Sequence, residues 1–100
     1  MRITKYTLSH KASKDLANIF QYTYKNFAIS QAEAYLSELD ECFIMLSNEP
    51  DLAHKVEYIR KGYFRNLFRR HDVYFKVCKG DIFIVRVLHQ QMKYELQLTS

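Results

Sequence analysis

A run near the C-terminal end, DIFIVRVLHQQM from Asp81 to Met92, constrains this chain more than any other stretch. Read with a two-residue period, Ile82, Ile84, Arg86 and Leu88 fall on one side and Phe83, Val85, Val87 and His89 on the other. Two apolar faces in so short a β-branched run predict a strand covered on both sides, and so a central place in a sheet. The run closes on Arg86, His89 and Lys93 rather than on apolar residues. It therefore delivers cationic groups to one edge of the sheet.

The rest of the chain supplies partners for that strand. Arg2 to Leu8 alternates as a first strand, and Ser9 is placed to cap a helix behind it. Ala12, Leu16, Ile19, Phe20, Thr23 and Phe27 form one helical stripe, with Tyr22 and Tyr24 on its opposite flanks. After a break at residues 26–29, Ser30 and Glu33 read as a capping box that starts a second helix. Its stripe is Ala32, Tyr35, Leu36, Leu39, Cys42, Phe43 and Leu46, while Glu38, Asp40 and Glu41 are expected to face outward. Ile44 and Met45 flank the outer surface as a docking spot, and Pro50 ends the element. So short a connection predicts an antiparallel helix hairpin.

Three strands are expected next. Tyr58 to Leu67 contains one, interrupted near Lys61-Gly62; Asp72 to Cys78 is the second. Lys79-Gly80-Asp81 then turns into the organising strand, and Met92 to Leu98 reads as a helical turn or frayed tail. The order is β-α-α-β-β-β in one domain, 1–100. It predicts a two-layer α+β fold, with an antiparallel helix hairpin packed on one face of a mostly antiparallel sheet. The other face would carry aromatics and arginines with no helix of this chain above it.

Charge adds direction. The net charge of +4 conceals a segregation: Lys55, Arg60, Lys61, Arg65, Arg69, Arg70, Lys76 and Lys79 stand against only Glu57 and Asp72 in residues 54–79. Such clustering points to an anionic partner, the alternative being a solvated basic face. Cys42 and Cys78 read as small core residues, with no CxxC, no His-x-x-x-His and no Gly-rich phosphate loop. No metal, cofactor or small-molecule ligand is expected. With no run of about 20 apolar residues and no signal-peptide block at the start, a cytoplasmic protein is expected.

Three stretches carry a family resemblance: LSHKASKDLANIFQYT; QAEAYLSELDECFIMLSNEP leading into YIRKGYFRNLF; and HDVYFKV with IFIVRVLHQQM. In this order and spacing they resemble the RelE/ParE superfamily of bacterial toxins, and within it the ParE branch. Arg86-Val87-Leu88-His89 is the most specific piece. His10 stands where many members have Pro, Phe27-Ala28 where many have Trp-Gly, and Gln91 and Lys93 flank Met92 where Arg and Asp are frequent.

The resemblance implies a growth-inhibiting, non-enzymatic toxin that traps DNA gyrase with cleaved DNA. It also implies a cognate ParD-like antitoxin that wraps the helix hairpin and sheet, and that alone carries operator-DNA binding. On the residues, Arg60, Arg65, Arg69, Arg70, Arg86, His89 and Lys93 are candidates for a basic face contacting target or antitoxin, with an internal ion pair as the alternative for Arg86. Tyr22, Tyr24, Ile44, Met45, Phe64 and Tyr74 are candidates for apolar antitoxin docking.

Two competing chemistries share these residue types. A ribosome-dependent mRNA endoribonuclease of the RelE kind would use Arg65 and Arg86 on phosphate and His89 as acid or base. Helix two is acidic rather than lysine-rich, and the strand pattern suits His89 to a partly buried structural role. A stand-alone nucleic-acid binder would use Tyr58, Tyr63, Phe64, Phe68 and Tyr74 among the cations, yet those rings suit strand packing and no recognised motif is present.

Overall fold

In the computed structural model, which describes residues 5–90, the elements run β1 (Tyr6–Leu8), α1 (His10–Asn26), α2 (Ile29–Asn48), a 3-10 turn (Pro50–Leu52), β2 (His54–Lys55), β3 (Tyr63–Phe68), β4 (His71–Val77) and β5 (Ile82–His89). The sheet order is β1-β5-β4-β3-β2. The organising strand therefore sits inside the sheet, parallel to β1 and antiparallel to β4. The α+β layering and element order agree with the sequence reading, except that β2 is an added short edge strand. The expected continuation of the first strand to Arg2, the 92–98 segment and Lys93 lie outside the described residues.

Local chemistry explains the start of α1. The Ser9 hydroxyl accepts from the Ala12 N–H at 2.9 Å and donates to the Val85 carbonyl at 2.7 Å. One side chain thus caps the helix and ties it to β5. The expected capping box of α2 does not form. The helix begins earlier, at Ile29, with extended Ala28 as its N-cap and no side-chain cap bond. Only Phe27 and Ala28 separate the helices, so the chain must turn before Ser30 can act. Phe27, taken as part of the α1 stripe, is its C-cap instead, out of helical phase and 66% exposed.

The main core lies between helices and sheet: Leu39, Phe43 and Leu46 of α2 against Val73, Phe75, Ile82, Ile84 and Val87. Tyr6 closes one end, its ring edge-on to Phe43 at 5.1 Å and its hydroxyl on Asp40. Asp40 is thus engaged and half-buried rather than simply outward. Cys42 is buried as expected, whereas Cys78 is exposed at the hairpin end.

The second face is not bare. The β2–β3 loop folds over it, and Val56 (2% exposed) packs with Tyr63, Tyr74 and Leu88. The strand expected from Tyr58 starts only at Tyr63. Residues before it are turned back by the Ile59 N–H on the Val56 carbonyl, and Gly62 has a positive φ of 84°.

The period-two reading of β5 fails at one point. Phe75 pairs with Ile84 but Tyr74 with Arg86, so Val85 is an extra residue. A bulge of this kind shifts every later side chain to the other face. Ile82 and Ile84 face the helices, then Val87 does, while Leu88 belongs to the second face.

Beyond the bulge β1 has ended, and α1 lies along the β5 edge. Asp15, buried, takes the Val87 N–H at 3.0 Å and both guanidinium arms of Arg86 at 2.8 and 2.9 Å. The side chains of Arg86 and Asp15 are 12% and 10% exposed. Bonding to Asp15 raises the Arg86 pKa over the opposing effect of burial.

Asp15→Ala leaves a buried guanidinium unpaired and a buried N–H unsatisfied. It should cost about 3–5 kcal/mol in urea denaturation, whereas Asp15→Leu with Arg86→Met should recover much of that loss. A single-variant cost below ~1 kcal/mol would contradict the view that Asp15, Arg86 and the Val87 N–H lock α1 onto β5.

Candidate functional site

The two elements that Asp15 joins, α1 and β5, also form part of the wall of a cleft. An open groove of about 1150 Å³ runs between α1, α2 and the ends of β4 and β5, with the β3–β4 turn at its mouth. Ile19, Tyr22 and Phe27 give it an apolar wall; Arg69, Arg70, His71 and His89 give it a cationic one. Tyr22 is 66% exposed and, with Phe27, offers aromatic surface for a partner.

A connected polar network lies at the cationic end. The Tyr35 hydroxyl meets His71 Nδ1 at 2.7 Å, and His71 lies edge-on to His89 at 5.4 Å. Register puts them together, since His71 and His89 are directly paired across β4 and β5. Arg69 spans the mouth, its guanidinium 5.8 Å from the Tyr35 ring and 5.7 Å from that of Phe68, and ion-paired to Glu38. Arg69 is the non-glycine residue with positive φ (54°) among the described residues, because the turn between Phe68 and His71 has only two residues.

Burial pushes the Tyr35 hydroxyl up in pKa despite Arg69. Burial first, and then the neighbouring His89, push His71 below its ordinary 6.5, against the opposing pull of Asp15.

The candidate basic face is in fact three places. Arg69, Arg70 and His89 converge on the groove. Arg86 is not on an open face but in the buried pair with Asp15. Arg65 faces away from the helices: it pairs with Tyr74, which is buried in the second cluster, and lies 4.0 Å from Asp72. Arg60 is exposed on the loop covering that same face. The endoribonuclease trio of Arg65, Arg86 and His89 is therefore divided, with the sheet between Arg65 and His89.

The apolar candidates divide too. Tyr22 lines the groove. Tyr24 lies outside the groove lining, stacked on Phe20 at 6.4 Å. Met45 is exposed and Ile44 half-buried. Phe64, stacked on Phe75 at 5.4 Å, and Tyr74, 2% exposed, are packing residues rather than open docking surface. Tyr35, His71, Asp15, Glu38 and Phe27 are site residues that the sequence reading did not place there. Among the described residues no cluster of three or more His, Cys, Asp or Glu is set to hold a metal ion, and no helix is long and apolar enough to cross a membrane.

Comparison with known proteins agrees in sequence and in fold. Residues 6–94 match the family model described as the ParE toxin of the type II toxin–antitoxin system parDE. Toxin ParE1 of Mycobacterium tuberculosis is 33% identical over 96 residues, covering 95% of this chain and 98% of that protein. Toxin ParE1 of Caulobacter vibrioides is 33% identical over 93 residues, covering 93% and 96%. A solved structure from the chromosomal ParDE system of P. aeruginosa superposes with a TM-score of 0.72 at 18% identity, covering 86% of this chain and 95% of its own. At that identity the likeness speaks to the fold.

The His71 geometry has a consequence for pH. As pH falls below 6.5 the unfolded chain takes up this proton before the native one does. The stability from neutral His71 is complete above that value and is lost as pH falls toward the lower folded-state pKa. Denaturation midpoints should therefore fall between about pH 7 and about pH 5.5, and His71→Gln should flatten that dependence. An unchanged slope in the variant would show that His71 titrates normally.

Proposed function

The chain belongs to the ParE toxin family of type II toxin–antitoxin systems, and from that premise we propose that it arrests growth by inhibiting DNA gyrase, without an enzymatic step of its own. It acts in the cytoplasm and is held inactive by a ParD-like antitoxin encoded beside it. The observation that carries this reading is the family match across residues 6–94. The separation of Arg65 from His89, with Arg86 bound to Asp15, weighs against the endoribonuclease alternative, because acid–base chemistry needs those groups around one phosphate. The test is a supercoiling and cleavage assay with purified gyrase. Loss of supercoiling with accumulation of gyrase-linked cleaved DNA is expected. Gyrase left fully active, together with mRNA cleavage on translating ribosomes, would overturn the reading.

The groove is the antitoxin site in this reading. The structural neighbour comes from a ParDE system, which supports an antitoxin partner. An extended acidic segment with apolar anchors suits the two walls, carboxylates meeting Arg70 and the histidines and side chains packing on Tyr22 and Phe27. Arg70→Glu and Tyr22→Ala should each weaken binding to the adjacent-gene antitoxin roughly 10- to 100-fold by titration calorimetry. Wild-type affinity should also fall as salt rises to physiological levels. Affinity indifferent to both variants would remove the groove from the interface.

A further inference from the structure

The basic residues that the sequence clusters into one segment are sorted by the sheet onto two faces. Arg69 and Arg70 go to the groove on the helix side. On the opposite side, Arg65 of β3 stands opposite Tyr74 and Lys76 of β4 opposite Tyr63, both tyrosines of the second cluster, with Lys76 Nζ 5.4 Å from the Phe83 ring. The β2–β3 loop above this face adds Arg60 and Lys61, both exposed, and Tyr58, 71% exposed. Acidic side chains there are Glu57 on the loop and Asp72, the latter 17% exposed and within 4.0 Å of Arg65. Most other described carboxylates are on or beside the helices, at positions 15, 33, 38, 40, 41, 49 and 51.

A segment filling the groove leaves this second face uncovered. The fold therefore has two anion-complementary surfaces that two different partners can use.

We propose that the helix-free face, through Arg60, Lys61, Arg65 and Lys76 with Tyr58 among them, contacts the phosphate backbone of DNA held open by the target. This rests on the gyrase-directed reading above and names the second partner within it. Separate cations spaced over a face neutralise successive phosphates, and an exposed ring between them stacks on an unstacked base; together they are the chemistry of single-stranded or broken nucleic acid. An acidic protein patch would also satisfy the cations, and the experiment below separates the two. DNA opened at a break offers both phosphates and unstacked bases.

The experiment uses the full chain, a fluorescent 20-mer duplex carrying a short single-stranded gap, and gyrase with supercoiled plasmid. Anisotropy should show binding whose log–log salt slope is about −3, as three or four phosphate contacts require. Arg60→Glu with Lys76→Glu should weaken binding at least about 10-fold and reduce the slope by about two. The charge-matched pair Lys11→Glu and Lys14→Glu on α1 should leave both unchanged. Tyr58→Ala, which alters no charge, should weaken binding to the gapped DNA more than to intact duplex. Thermal melts establish that each variant is folded.

The outcomes separate the two claims. DNA binding lost in the Arg60/Lys76 variant, with gyrase inhibition weakened in parallel, supports the proposal. Equal DNA binding and equal gyrase inhibition by that variant overturn it while the gyrase reading stands. Weakened gyrase inhibition with no measurable DNA affinity in the wild type assigns the face to an acidic protein surface and overturns the DNA contact. DNA binding of the expected slope with gyrase untouched keeps the contact and removes the gyrase reading.

Discussion

The Asp15 carboxylate accepts three hydrogen bonds, one of them from a backbone group that strand pairing leaves open. β1 pairs with β5 only as far as Ile84, so the later β5 backbone meets a helix where a strand would otherwise supply acceptors. The Val87 N–H there would be buried without a partner, at a cost of about 1–3 kcal/mol. Asp15 accepts it, and Arg86 binds both carboxylate oxygens, so the charge is never isolated. A buried ion pair adds little net stability compared with apolar packing. Its contribution here is geometric: it fixes the rotation of α1 on the sheet. One and two turns later on the same helix face, Ile19 and Tyr22 are thereby aimed into the groove.

The bulge at Val85 works with that lock. Without it, counting back from the Lys79-Gly80 turn would pair His71 with Leu88, and His89 would leave the helix side. The extra residue moves the pairing on by one, so that His71 faces His89 beneath Tyr35. The Ser9 hydroxyl donates to the carbonyl of the bulged residue itself, so the helix cap and the bulge hold one another in place. The same shift sends Leu88 to the second face, where it completes the cluster under the β2–β3 loop.

Much of the architecture was legible because the apolar periods are strong. The α2 stripe from Ala32 to Leu46 is buried largely as its spacing indicates, and the Gly80 turn falls where expected, with a positive φ of 86°. What the sequence hid was phase. A bulge has no residue signature, so Arg86 and His89 could not be assigned to faces from alternation alone. The Ser30–Glu33 pair satisfies the capping pattern, yet a two-residue connection overrides it. Tyr35 reads as a core residue by spacing, and only the pairing of strands distant in sequence brings His71 to its hydroxyl. Charge clustering located a basic segment, but β3 and the β3–β4 turn send its members to opposite sides of the sheet.

Two ion pairs near the groove differ in a way that bears on its occupancy. Asp15–Arg86 is sheltered, bidentate and backed by a backbone N–H, so nothing entering from solvent competes with it cheaply. Glu38–Arg69 is open to water, with side-chain exposures of 42% and 60%, and such pairs contribute about 1 kcal/mol or less. An incoming carboxylate can therefore take the place of Glu38 on Arg69 at small cost. Arg69 would keep its approach to the Tyr35 and Phe68 rings, which does not depend on which carboxylate it holds. The groove thus combines a fixed wall with an exchangeable mouth. That division suits the antitoxin site proposed above, which would bind an acidic segment firmly and also exist without one.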